Sequence, residues 1–247
     1  MRTRNLNAFC RDRPWLAPLI SRPTQMHTRT IMKHIRTSVL LLTVTLAAAT
    51  PSSTFAQDLP TISLPKPRRE GGKPLLDALK ERKSTREFKA DKLPLQTVSD
   101  LLWAGFGINR PENDHRTAPS AMNSQEVDLY LGTADGLFLY DAKAHALRPV
   151  FKEDIRAQTT GQAALKDAPV AIVFVADYAR LTKPKPELKE PYAFMDAGFI
   201  SQNLYLFCAS EGLATVVHEV DREQLAKVLK LRADQKAIAA QSVGYPK

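Results

Sequence analysis

Two segments near residue 80 carry apolar side chains at helical spacing. Leu75 and Leu79 share one face of PLLDALKER, which predicts a short helix. A second helix is predicted from Pro94, because proline is favoured in a first helical turn and Val98 and Leu102 follow along one face. Two short helices are therefore expected to open the folded part of the chain.

After residue 126, apolar residues occur at every second position instead of at helical spacing. Val127, Leu129 and Leu131 alternate with other residues, and GLFLYD (136–141) follows across a short turn. These two segments predict an antiparallel pair of strands. The run APVAIVFVA (168–176) is rich in β-branched residues and predicts a buried strand.

The second half of the chain contains one long apolar segment. Residues 193–213 predict a helix that Gly212 closes. Its apolar side chains occur nearly all round, so it must be buried on several sides. Part of this helix is therefore expected to pack against a second subunit.

The remaining patterned segments give a mixed order of elements. Residues 154–165 and 221–231 predict helices, and residues 213–220 and 237–246 predict strands. The order shows no βαβ regularity and no internal repeat. The fold class predicted from the pattern is α+β.

Two segments have loop composition instead. Residues 57–73 are rich in proline, glycine and charge, which predicts a flexible arm that lies extended on the surface. Residues 109–123 are charged and turn-forming, and a loop of this length is expected to be functional or mobile. Residues 74–247 remain as one folded domain.

The first 56 residues read as a leader. From Met32 a short basic start precedes an apolar run (39–49) and then small residues, which predicts a secretory signal peptide cleaved after Ala56. No permanent membrane anchor is expected, because the run is shorter than the roughly 20 residues that span a bilayer. A periplasmic or secreted location follows. Residues 1–31 fit no signal region, and represent either a start assigned too far upstream or a genuine extension.

The net charge of +9 belongs mostly to this leader. Residues 1–56 hold eight of the 35 Lys and Arg residues but only one of the 26 acidic residues. The rest of the chain is close to neutral and lacks the basic surface that nucleic acid requires. No nucleic-acid partner is expected.

The number and spacing of the cysteine, histidine and glycine residues argue against a catalytic thiol, a metal site and two glycine-rich nucleotide-binding motifs. Without the leader, Cys208 is the one cysteine left, and in its apolar stretch a buried small side chain is favoured over a catalytic thiol. His115, His145 and His218 lie far apart without ligand spacing, so no metal site is expected. The glycines form neither a Rossmann fingerprint nor a P-loop.

The segment ERKSTREF (81–88) is the strongest local candidate for binding. Arg82, Lys83 and Arg86 surround Ser84 at the end of the first predicted helix. Guanidinium groups and a hydroxyl suit an anionic phosphate, because they donate charge-assisted hydrogen bonds. The alternative is a solvated helix end whose cations complement the helix dipole.

Five sequence segments, taken in their order along the chain, resemble those of a known protein family. They are RKSTREF, PLQTVSDLLWAGFGI, APSAMNSQ, DAGFISQNLYLFCASEGLATVV and the terminal SVGYP. From about Leu75 to Lys247 the chain resembles the nitroreductase family of FMN-dependent oxidoreductases, most closely the branch with azoline-oxidising dehydrogenases. The resemblance implies an α+β fold with a central antiparallel-rich sheet flanked by helices. It also implies a homodimer with one FMN in each of two clefts at the subunit interface.

The resemblance further implies three groups of cofactor-binding residues. Those that would contact the phosphate, ribityl chain and pyrimidine side of FMN are Arg82, Lys83, Ser84 and Arg86. Those that would meet the ring edge are Pro119, Ser120 and Asn123. Those whose backbone would lie against the flavin are Val216, Val217 and His218.

Catalytic roles fall to Arg86, Asn123 and His218 on the same basis. Arg86 would stabilise the negative charge of the reduced ring, and the amide of His218 would point at flavin N5. The side chain of His218 as an acid or base is a separate hypothesis. Lys247 would reach the FMN phosphate in place of the basic side chains that longer family members return there.

The function expected from these observations is an FMN-dependent oxidoreductase that transfers hydride through flavin N5. Its partners would be a second copy of the chain and a small-molecule electron donor and acceptor. An exported flavin-binding or interaction protein without turnover is the alternative.

Overall fold

A computed structural model describes residues 59–247. The predicted leader and signal peptide, with its cleavage site after Ala56, lie outside the described residues. The helices and strands, in chain order, are β1 (Ile62–Ser63), α1 (Leu75–Glu81), α2 (Leu95–Phe106), β2 (Ile108–Arg110), β3 (His115–Arg116), β4 (Val127–Thr133), β5 (Gly136–Asp141), β6 (Ala146–Phe151), β7 (Val170–Asp177), α3 (Pro186–Glu211), β8 (Ala214–His218), α4 (Arg222–Val228) and β9 (Gln235–Gly244).

The strands form one seven-stranded sheet and one small hairpin. The order in the large sheet is β1-β6-β5-β4-β7-β9-β8, with every neighbouring pair antiparallel, and β2 pairs with β3 separately. The predicted α+β fold with an antiparallel-rich sheet flanked by helices is confirmed. The predicted pairing of 127–131 with 136–141 is confirmed as β4 and β5.

Strand β7 lies in the middle of the sheet and is buried on both faces. Ile172 and Phe174 belong to the larger core cluster with residues of α2 and α3, whereas Val173 and Val175 belong to the cluster with residues of α4. A strand covered on both faces has no position that water reaches, which explains why its sequence is apolar without alternation.

Helix α3 crosses one face of the sheet and ends where predicted. Gly212 follows it with φ 68°, a left-handed conformation that glycine adopts without steric cost. The helix begins at Pro186 rather than at residue 193, with Pro191 inside and exposed. Near a helix start, a proline on the solvent side removes one hydrogen bond without a buried clash.

Helices α2 and α3 pack closely because Gly105 has no side chain. A Cβ added there would lie 2.6 Å from Leu204 Cδ2. Leu101 and Leu102 of α2 and Ile200 and Leu204 of α3 are completely buried around this crossing. The packing fixes α3 against the domain through its inner side and leaves its outer side uncovered.

The predicted helix at 154–165 is wrong. Two 3₁₀ turns, Arg156–Thr159 and Ala163–Leu165, replace it and are separated by Thr160, Gly161 and Gln162. The hydroxyl of Thr159 donates to Arg156 O at 2.7 Å, a local bond that competes with helix formation. Glycine disfavours continuation further.

Strand β6 was not predicted. It contains Pro149, which lacks the N–H that an internal strand needs. In the structure Pro149 pairs with Phe138 beside a register shift, and the two-residue β1 covers only Ala146 and Leu147. Most of β6 is therefore an edge, where the missing donor is tolerated.

The loop predicted at 109–123 contains short regular elements. Strands β2 and β3 form a hairpin, and a 3₁₀ turn spans Ala121–Asn123. Arg116 fixes this region by donating to Phe106 O and to Gln125 Oε1, both at 2.9 Å.

The flexible arm predicted at 57–73 is instead anchored over its described part. Leu64 is buried in the core, and its N–H donates to His145 O at 3.1 Å. The backbone and Nε of Arg68 both donate to the buried Asp100, at 2.8 and 2.7 Å. These contacts, together with the pairing of β1 with β6, hold a segment that composition alone marks as flexible.

Candidate functional site

The outer edge of β8 is open to the segment that follows α1. Thr85 N donates to Thr215 O, and Val217 N donates to the hydroxyl of Tyr205, both at 2.9 Å. Backbone groups of alternate residues in an antiparallel strand point to opposite sides, so those of Val216 and His218 turn toward β9. The His218 amide, which the family resemblance places against the cofactor, therefore points toward β9 in this chain. Val217 presents its amide at the open edge.

Four cations lie at this edge without acidic partners. Within Leu59–Lys247, no ion pair involves Arg82, Lys83, Arg86 or Lys247. Arg86 Nε donates to Gln162 Oε1 at 3.4 Å. The predicted cluster is thus a group of cations without ion-pair partners in the described part of the chain.

Lys247 reaches the same place from the end of the chain. Residues 88 and 246 form a β-bridge, and Lys247 N donates to Glu87 O at 3.4 Å. A cavity of about 330 Å³ lies beneath, and its lining includes Lys83, Lys247 and Tyr205. The structure therefore brings together Lys83 and Lys247, which are far apart in the sequence.

Tyr205 organises the cluster. Its hydroxyl lies 2.8 Å from Ser84 Oγ, and the guanidinium of Arg82 stands over its ring, 5.3 Å from the centroid. Arg82 is thus oriented by an aromatic ring of α3 and not by the carbonyls at the end of α1, which argues against a solvated helix end. No sequence signal marks Tyr205, since it lies among other large apolar residues of α3.

The residues predicted to meet the flavin ring edge, Pro119, Ser120 and Asn123, lie apart from the cationic cluster. Ala121 N, between Ser120 and the exposed Asn123, donates to Asp196 Oδ2 of α3 at 2.7 Å. Asn123 has φ 55°, and its Oδ1 accepts from Gln125 Nε2 at 3.1 Å. Ser120 Oγ accepts from Gln125 N at 2.9 Å. Pro119 is exposed beside this turn.

The cationic cluster around Ser84 and the ring-edge group around Asn123 contact opposite borders of the buried side of α3. Asp196 holds one group and Tyr205 holds the other. Nine positions along a helix correspond to about 180° of rotation and about 13 Å of rise. The structure of one chain therefore does not bring Ser84 and Asn123 into one site.

A stripe of exposed apolar side chains separates them. Leu188, Met195 and Phe199 are 40, 46 and 40% exposed. Their spacing puts them on the side of α3 that faces away from the sheet. The sequence predicted that part of α3 packs against a second subunit, and this stripe is exposed and available for such a contact.

His218 is not placed for acid–base chemistry. Its side chain is buried, with Nε2 3.1 Å from Ser242 Oγ and Nδ1 3.2 Å from Glu219 O. Burial and, to a smaller degree, the charge of Arg86 lower the pKa of His218, so the ring is neutral at pH 7. Val216 is buried as well, and of the three predicted β8 residues only Val217 is exposed.

A pair of buried carboxyls supports the second group. Both oxygens of Glu126 and Oδ1 of Asp196 are buried without a hydrogen-bond donor. Burial and the neighbouring Asp196 carboxyl raise the pKa of Glu126 to about 7. A proton held by Glu126 would give one of its oxygens and Asp196 Oδ1 a shared hydrogen bond. Sequence reasoning missed the pair, although an acid inside the apolar α3 was a signal.

Cys208 has the environment that its apolar stretch predicted. Cys208 is completely buried, and burial raises its pKa to about 12, so the prediction of a structural thiol is confirmed. Within the described range, no cluster of His, Cys, Asp and Glu is arranged to hold a metal ion. None of the helices there is long and apolar enough to cross a membrane.

Comparison with known proteins decides the family. The sequence profile described as the nitroreductase family matches residues 79–245. The chain belongs to the nitroreductase family. Members of this family are flavin-dependent oxidoreductases, and the resemblance stated from the sequence is confirmed.

Individual relatives agree with this assignment. A Methanocaldococcus jannaschii protein described as a nitroreductase is 29% identical over 170 residues, which are 64% of this chain and 85% of that protein. The crystal structure of a Ralstonia eutropha protein also described as a nitroreductase is 40% identical with a TM-score of 0.73, covering 76% of this chain and 90% of that one. A chain in the Escherichia coli microcin synthetase complex shares the fold, at 20% identity and a TM-score of 0.59, covering 65% of this chain and 67% of that one.

Proposed function

We propose that this nitroreductase-family chain is an FMN-dependent oxidoreductase that acts as a homodimer. It would transfer hydride through flavin N5 between a small-molecule donor and a small-molecule acceptor. The observation that carries the proposal is a cavity at the open edge of β8 that Lys83, Lys247 and Tyr205 line, where Tyr205 also holds Ser84 and Arg82. Cations and a hydroxyl at one point are the donor set that a phosphate requires.

The chemistry of the donor set fits FMN. Lys83 and Lys247 supply charge at the cavity, and Arg82 adds a planar guanidinium held by Tyr205. The flavin would supply the hydride chemistry, and the protein would supply position and electrostatics. Arg86 would hold a fixed positive charge beside the pyrimidine edge, where it favours an anionic ring over a neutral one.

The position of the second group supports a two-chain site. The exposed stripe of Leu188, Met195 and Phe199 lies between the border held by Tyr205 and the border held by Asp196. When two copies meet through this stripe about a twofold axis, the cationic edge of one can face the Ser120–Asn123 turn of the other. Pro119, Ser120 and Asn123 would then meet the ring from the second chain.

Arg82→Ala should weaken FMN binding without unfolding the protein. The change removes a charge-assisted contact worth roughly 1.5 to 3 kcal/mol to the ligand, so the dissociation constant should rise roughly 10- to 150-fold. Titration of FMN into apo-protein, followed by flavin fluorescence, measures it. Arg69→Ala is the matched control, because Arg69 also stands 5.3 Å over an aromatic ring, that of Trp103, on another surface. Equal FMN affinity in wild type and Arg82→Ala would contradict the proposed phosphate site.

We also propose that the chain is exported, with a mature start at Gln57. The support is the basic, apolar and small-residue order from Met32 to Ala56. N-terminal sequencing of protein recovered outside the cytoplasm tests this. A start at or before Val39 would contradict a cleaved signal peptide.

A further inference from the structure

Tyr205 joins three groups of the proposed phosphate site that come from separate parts of the chain. Its hydroxyl accepts from Val217 N at 2.9 Å and lies 2.8 Å from Ser84 Oγ, while its ring carries the guanidinium of Arg82. The tyrosine itself is buried, with 7% of its surface exposed. It is therefore a fixed point to which the more exposed groups are attached.

The direction of these hydrogen bonds follows from the donors available. A backbone N–H can only donate, so the phenol oxygen accepts from Val217. The phenol proton has Ser84 Oγ as its partner within the described part of the chain, and a buried donor left without an acceptor is costly. Tyr205 therefore donates to Ser84, and Ser84 accepts.

This direction decides what Ser84 offers to a ligand. Because the serine oxygen already accepts from Tyr205, the hydroxyl proton of Ser84 is free to point outward. The sequence neighbours of Ser84 include the cations Arg82, Lys83 and Arg86. Each bond in a chain of hydrogen bonds polarises the next, which strengthens the last donor. Ser84 is exposed, so that last donor faces solvent or a bound anion.

We propose that Tyr205 is a positioning residue that makes Ser84 an obligate donor to the phosphate group of the cofactor. This proposal rests on the proposed function and goes further by assigning a role to a side chain outside the predicted site. Tyr205 also lines the cavity, but its phenol oxygen is occupied by Val217 N and Ser84, so it would act on the phosphate through Ser84 and Arg82. Its effect should therefore be confined to ligands that carry a phosphate.

Tyr205→Phe is the variant that isolates the hydroxyl. The ring remains, so the contact with Arg82 and the packing of α3 are kept, and Val217 N lies at an open strand edge where water can replace the phenol. The expected result is an FMN dissociation constant about 10-fold higher, the size of one hydrogen bond to a charged group. The dissociation constant for riboflavin, which lacks the phosphate, should not change. Tyr192→Phe, in the first turns of α3, is the matched control and should alter neither constant.

A double-mutant cycle with Ser84→Ala shows whether the two residues act as one unit. If Tyr205 acts through Ser84, Tyr205→Phe should add no more than about twofold to the effect of Ser84→Ala, since coupled residues are not additive. Independent effects that multiply, an unchanged FMN constant in Tyr205→Phe, or equal weakening of FMN and riboflavin would each overturn the proposal. Wild-type protein that binds neither flavin would instead refute the proposed function, and the role of Tyr205 with it.

Discussion

Phe199→Asp should convert the protein from a dimer to a monomer and remove its FMN. Phe199 is 40% exposed on the outer side of α3, within the apolar stripe that also includes Leu188 and Met195. In a twofold interface each substitution acts twice, so two phenyl contacts are lost and two carboxylates are desolvated. The dimer dissociation constant should rise by at least about 1000-fold, which corresponds to about 4 kcal/mol.

Light scattering combined with flavin absorbance measures both consequences on one sample. Leu95→Asp is the matched control, because Leu95 is 42% exposed but lies in the first turn of α2, where an acid also suits the helix dipole. This control should stay dimeric and retain flavin. A Phe199→Asp monomer that still holds one FMN per chain would refute a cleft shared between two copies.

Glu126→Gln should stabilise the protein at pH 8 and change little at pH 4.5. The pKa of Glu126 is raised from 4.5 to about 7 in the folded chain, so between these values the native state holds a proton that the unfolded state has released. The unfolding free energy of the wild type must then fall as pH rises through this range. The raised pKa corresponds to a loss of unfolding free energy of at most about 3 kcal/mol. This loss is complete above pH 7 and stays constant at higher pH.

Glutamine avoids this loss because it stays neutral and can donate to the unpartnered Oδ1 of Asp196. Of the other charged groups nearby, Arg180 donates to the backbone oxygen of Glu126 at 2.8 Å and pairs with Asp128; its charge lowers the pKa of Glu126, but burial outweighs it and the pKa stays raised. Urea unfolding at several pH values and one protein concentration gives the comparison. Glu223→Gln on the surface of α4 is the control, and its plot of unfolding free energy against pH should run parallel to that of the wild type. If the Glu126→Gln curve also runs parallel, the two carboxyls do not share a proton.

Those parts of the fold that depend on local pattern could be predicted. Strand β7 is apolar on both faces, α2 starts after a proline, and α3 ends at Gly212, so each carries its own signal. The cationic segment at 82–86 was also visible, because three basic residues around a serine are unusual in themselves. Its placement beside Lys247 was expected from the family resemblance alone.

The remaining features depend on contacts between distant residues. Pro149 argues against a strand until its position at a sheet edge is known. Arg68 looks like part of a flexible arm until Asp100 is found beneath it. His218 looked like a ligand-facing residue, but its place in β8 turns it toward β9. Tyr205 and Glu126 gained importance only from neighbours that the sequence does not place beside them.

Anaerobic reduction of the FMN-loaded dimer decides most directly whether this chain is an oxidoreductase. Mixed with NADH in the absence of oxygen, the bound flavin should lose its visible absorbance, and a quinone or nitroaromatic added afterwards should restore it. NADH deuterated at the transferred position should react more slowly, because its C–H bond breaks as hydride passes to N5. Bound FMN that no hydride donor reduces, neither NADH or NADPH nor a panel of oxidisable small organic molecules, would contradict hydride transfer and leave a flavin-binding protein without turnover.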